Sequence, residues 1–142
     1  MEISLVRKRV RQCIEHARTV GVARRDANRE AAAAWERLLA EVAVPLVQQI
    51  AQVLKAEGQA FRVDTPAGRV RLESERSADD HIELALDTTG QAPVVVAAVN
   101  RTRGRERMSD EHIVASGADI ASLDDERLLE VLAGVLGPLV ER

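Results

Sequence analysis

Two short segments of the chain bring imidazole and carboxylate together: Asp79-Asp80-His81-Ile82 and Asp110-Glu111-His112-Ile113. Histidine nitrogens beside carboxylate oxygens form a donor set that Zn²⁺ or a similar ion accepts, so His81, His112, Asp80 and Glu111 are the candidate metal ligands. Strand spacing opposes that reading. Each segment enters a run of alternating polarity, and in a meander one further strand separates the two. At ~4.8 Å per strand the imidazoles then stand about 10 Å apart, too far to share one ion easily. The expectation is that these residues mark two strand starts and that the chain carries neither metal nor cofactor.

Cys13 and His16 are three residues apart in a helical pattern, close enough to meet. Cys13 falls in an apolar seam, however, where cysteine acts as a small hydrophobe. The chain has no GxGxxG, P-loop, GxSxG, HExxH or CxxC pattern. No catalytic residue is assigned, and the reading leans away from an enzyme.

The densest charge is Arg101-Thr102-Arg103-Gly104-Arg105-Glu106-Arg107. As a hairpin tip turning at Gly104, it would let Arg101, Arg103, Arg105 and Arg107 grip phosphates or an acidic protein surface. Trp35 and Phe61 are the only aromatics, so bases find almost no platform to stack on. Any nucleic-acid contact would be to the backbone and steeply salt-dependent.

The elements that position these residues read from hydrophobic period. Ile3, Val6, Val10, Cys13, Ala17 and Val20 follow spacings of three and four, a heptad-like helical seam that Leu5 and Ile14 widen. Its polar side carries Arg7, Lys8, Arg11 and Arg18. Gly21 is a stop for this helix, with Asp26 or Asn28 capping the next, although a single glycine also allows one continuous helix. A second stretch from Asn28 to Glu57 places Trp35, Leu38, Leu39, Val42, Leu46, Ile50, Val53 and Leu54 on one face. Pro45 predicts a kink or two abutting helices there, and Gly58 closes the helix.

From Gln59 the period is two. Phe61 and Val63, then Val70 and Leu72, alternate with polar residues, and Ile82, Leu84 and Leu86 alternate with His81, Glu83, Ala85 and Asp87. The turns fall at Thr65–Gly68 and at Asp87–Pro93. Val94–Val99 is apolar on both faces and reads as an interior strand, and a short last strand is placed near Glu111–Ala115. The strands' polar positions, Arg62, Asp64, Arg69, Arg71, Glu73, Glu75, Glu83 and Asp87, mix both signs on what reads as a wet face without a pocket. Ser122 and Asp125 resemble a capping box for a final helix through Leu128, Leu132, Val135 and Leu139, which Gly137-Pro138 should kink or shorten.

The expected fold is α+β in the order α-α-β-β-β-β-β-α. An antiparallel meander of four to five strands is packed on one face by two or three helices. One domain spans 1–142, with a helical part over 1–57, a sheet over 59–116 and a terminal helix over 122–141. Arg- and Ala-rich, Lys-poor usage is the coding habit of GC-rich bacterial genomes. Met1–Val10 lacks the apolar stretch of a signal peptide, Ala92–Val99 is too short to span a bilayer, and one cysteine forms no internal disulfide. The expected location is therefore the cytoplasm, with no membrane partner.

Charge is unevenly spread: residues 1–29 hold eight basic and three acidic side chains, residues 109–142 two and eight. A basic head and an acidic tail can meet in one fold or across a homodimer. No family is recognised in these residues. The preferred function is a non-catalytic interaction or adaptor protein with an unidentified protein partner, self-associating through Ile3, Val6, Val10, Ile14 and Val20. The alternative is a nucleic-acid-associated protein using the first helix's arginines and the 101–107 segment. A small enzyme comes third.

Overall fold

The structure, a computed structural model, describes residues 1–141. Helix α1 runs Ile3–Leu38, passes through one π-helical turn at Leu39–Ala43, and continues as α2, Val44–Ala56. Gly21 does not end it. One glycine costs about 1 kcal/mol, less than breaking and recapping a helix whose other residues favour it. Pro45 is accommodated in the first turn of α2, where an N–H is least needed, so two helical segments abut at the wide turn just before it. Gly58, at φ +84°, closes α2 as expected.

Five antiparallel strands follow in one sheet of order β1-β2-β3-β4-β5: Phe61–Asp64, Arg69–Ser74, His81–Asp87, Val94–Arg103 and Glu106–Ser116. The last strand is longer than its sequence suggested, because Met108–Glu111 pair with β4 although none of them is buried. Val95 faces Ala115 and Val96 faces Ile113, so Val114 is an extra residue in a bulge. A 3₁₀ turn, Gly117–Ser122, leads to α3, Asp125–Val140. The N-cap of α3 is Asp124, whose Oδ1 accepts the Arg127 N–H at 2.9 Å; Ser122 instead donates to Asp119 O. Pro138 lies within the last turn and does not end the helix early.

Helices cover one face of the sheet. Val70, Leu72, Ile82, Leu84, Val95, Ala97 and Val99 point into that layer and are buried with Leu46, Val47 and Leu54 of α2 and Leu128 and Leu132 of α3. Helix α2 packs over β1 and β2, and α3 over β4 with β3 and β5 beside it. The end of α1 is fastened at the sheet's margin: Trp35 is buried and its Nε1–H donates to Gly68 O at 2.9 Å, while Arg24 donates to Gly90 O at 2.6 Å. The α+β class, the meander and the helix-covered face are as the sequence indicated. The helix Ile3–Ala56 contains a window of mean hydropathy 1.2, long and apolar enough by composition to cross a bilayer. Part of its apolar stripe is the core face just described.

Candidate functional site

From Met1 to Ala27 every residue except Gly21 is exposed. Helical spacing puts Val6, Val10, Cys13, Ala17 and Val20 on the same meridian as Ala31, Trp35 and Leu38, which are buried against the sheet. The stripe that anchors the helix therefore runs on outward past the edge of the domain, with nothing among the described residues to cover it. Ile3, Leu5, Val6, Val10, Ile14, Val20 and Val22 are all exposed, Ile3 at 77% and Val10 at 51%. At 1.5 Å per residue the projecting arm is about 37 Å long. Arg7, Arg11, Arg18 and Arg25 recur at heptad-compatible spacing along one flank of the seam. Cys13, placed by the sequence in a buried seam, is exposed on the arm.

A second apolar surface lies between α2 and α3. Leu46, Ile50 and Val53 on one side and Leu129, Leu132 and Leu136 on the other enclose a groove of about 560 Å³ floored by Leu72 and Ile82. Val53 is 62% exposed and Leu129 47%. Gln49 and Gln52 line its α2 side. Glu126 and Glu130, one helical turn from Leu129 and Ala133, stand exposed at its α3 lip. The sequence reading found no pocket. The signal was there in the width of the stripes, since Ile50 with Val53 and Leu129 with Leu136 extend beyond what a sheet can cover.

The sheet's uncovered face carries an ion-pair chain. Arg62 pairs with Glu73 at 3.0 Å, Arg71 with Glu73 at 3.4 Å and with Glu83 at 2.5 Å, and Arg69 with Glu83 at 3.0 Å. Glu73, expected to be wet, is only 6% exposed beneath its arginine neighbours. Burial alone would raise the Glu83 pKa, but the hydrogen bonds and charges of Arg71 and Arg69 outweigh it and hold the carboxyl below its usual range. Each of these three arginines and two glutamates has an oppositely charged neighbour, which suits a structural belt more than a reactive group.

The metal candidates are not brought together. His81 faces Asn100 on the uncovered side, whereas His112 pairs with Ala97 and points to the helix side. Both His81 nitrogens are engaged: Nδ1–H donates to Ala78 O at 2.9 Å, and Nε2 accepts from Asn100 Nδ2 at 3.0 Å. Asn100 in turn accepts from the Ser109 hydroxyl. Asp80 accepts the Thr102 N–H at 2.7 Å, and Glu111 lies opposite Ala98. Among the described residues no group of three or more His, Cys, Asp or Glu side chains could hold a metal ion.

The arginine segment is not one gripping tip either. Only Gly104 and Arg105 form the turn, with Gly104 at φ +63°. Arg101 and Arg103 end β4 facing the α3 side, and Arg107 starts β5 on the other face. Arg103 reaches Glu141 at 3.8 Å and Arg107 reaches Asp79 at 3.5 Å, all four side chains being exposed. Strand alternation thus divides the charge that the linear sequence groups. Comparison with protein-family models, with curated proteins and with solved structures finds no match to this chain.

Proposed function

We propose that this chain is a non-catalytic interaction protein that self-associates through the arm of α1. The observation that carries the reading is the uncovered seam Ile3, Val6, Val10, Ile14 and Val20 on a helix that extends beyond its own domain. In proteins most helical stability comes from packing an apolar face, and the arm packs its face on nothing among the described residues. This one is further disfavoured: Glu2 makes no side-chain cap, the first turn has no acidic residue, and Arg7, Lys8 and Arg9 crowd the positive end of the helix dipole. A partner surface supplies the packing that the chain does not supply to itself.

The test is the mass in solution of the native chain and of Val10→Asp. A dimer that becomes monomeric in the variant, with unchanged circular dichroism from the sheet, supports the reading. A native chain with the mass of a single copy, 15.5 kDa, ends the self-association part of it.

A second reading, contact with nucleic-acid backbone, draws on the basic flank Arg7, Arg11, Arg18 and Arg25. The division of Arg101, Arg103, Arg105 and Arg107 between two faces weakens it. Retention on heparin with a steep salt dependence, lost on replacing Arg7 and Arg11, is the result that would favour it.

A further inference from the structure

Resting on the arm as an interaction element, we propose its occupant site: the arm of one copy lies in the α2–α3 groove of a second copy, antiparallel to that copy's α2. Connectivity excludes the groove of the same chain. α1 and α2 belong to one helix of 54 residues joined by a helical turn, so the arm points away from its own α2 and has no loop on which to fold back. Reciprocity sets the direction. When each arm covers the other copy's α2 while being continuous with its own, the two long helices must run in opposite directions, the isologous arrangement of a two-fold dimer.

Size and charge match. The groove follows α2, 13 residues or about 20 Å long, and takes some three to four turns of helix, roughly the span from Val6 to Val20. Its apolar lining offers the surface that the seam lacks. Its α3 lip carries Glu126 and Glu130, the latter only in an exposed pair with Arg127 at 3.6 Å, and the arm's flank carries Arg7, Arg11 and Arg18. The alternative, an antiparallel pair of arms, buries the seam but offers Arg7, Arg11 and Arg18 no row of carboxylates, since the acidic residues before Asp26 are Glu2 and Glu15 alone. The only cation on α2, Lys55, is two residues from Val53 and so turned away from the groove.

The native Cys13, exposed on the seam and the only cysteine, provides the probe. Benzophenone-maleimide is attached there, the full-length protein is irradiated at micromolar concentration, and the cross-linked peptides are mapped. Attachment within residues 44–56 or 125–140 of a second copy is the expected result. Attachment within residues 3–27 of the second copy overturns the groove assignment and leaves the arm as an interaction element. A wholly monomeric unlabelled protein overturns both. Charge reversal checks the same contact without a label. Arg7→Glu with Arg11→Glu, and separately Glu126→Arg with Glu130→Arg, should each weaken the dimer about tenfold or more. Mixing the two variants should restore association, because both contacts are again complementary. Failure of the groove variants to weaken a stable dimer contradicts the proposal.

Discussion

Trp35 fastens the root of the arm to the domain, and its replacement by phenylalanine has a cost that can be worked out. The indole is 3% exposed and its Nε1–H donates to Gly68 O at 2.9 Å. Phenylalanine removes that donor. Gly68 lies in an exposed turn, so water can reach its carbonyl, and the loss is no more than a hydrogen bond's ordinary net worth, about 1 kcal/mol. The smaller ring also leaves a void of about 40 Å³, worth about another 1 kcal/mol. The total of about 2 kcal/mol should lower the urea midpoint by roughly 1 M. Far-UV circular dichroism is the assay, because the variant has no tryptophan to report by fluorescence, and protein concentration is held fixed because association adds apparent stability. A shift below about 0.2 M would mean that neither the bond nor the packing anchors α1. Unfolding of the whole sheet at low urea would mean that Trp35 supports far more than the helix root.

Three further outcomes follow from the sheet. Glu83 has a folded pKa below its usual value, so its contribution is present above about pH 4.3 and is lost as pH falls through the folded pKa. Glu83→Gln should therefore lower stability by about 1 kcal/mol at pH 7 and by progressively less as pH falls below about 4.3; a loss that does not change with pH would separate the ion pair from the effect. Arg103→Ser with Arg105→Ser should change stability by less than about 0.5 kcal/mol, because the Arg103–Glu141 pair is exposed at both ends. Gly104→Ala, which forces a side chain to φ +63°, should cost about 1 kcal/mol; the reverse order of these two effects would contradict the hairpin geometry.

Most of the fold was legible because each strand announces its inner face. Val70 and Leu72, Ile82 and Leu84, and the two-sided Val94–Val99 run set period, order and burial without help from distant residues. What the sequence hid depends on long-range placement. Ser109 and Glu111 carry no hydrophobic signal, so only pairing with β4 reveals that β5 begins at Glu106. Asp124 outcompetes Ser122 as the cap because Ser122 is already tied to Asp119 O within the 3₁₀ turn. The near-repeat around His81 and His112 looks like one site in a linear reading, yet register turns the two imidazoles to opposite faces. The seam on α1 was readable at once; its lack of any cover within the chain was not, since that follows from α1 and α2 being one helix. The groove needed α2 and α3 to be seen side by side on one face of the sheet, with Val53 and Leu129 lining the same cleft.

The measurement that bears most directly on the arm is the mass of the native chain by light scattering after size exclusion at about ten micromolar. Burying the exposed half of a valine is worth about 1 kcal/mol, and each arm carries several such residues, enough for a micromolar dimer after the cost of association. The expected result is twice the single-chain mass, returning to the single-chain mass in Val10→Asp with the sheet intact. A native chain that runs as a monomer at that concentration would contradict the account, for its seam would then be stable in water uncovered.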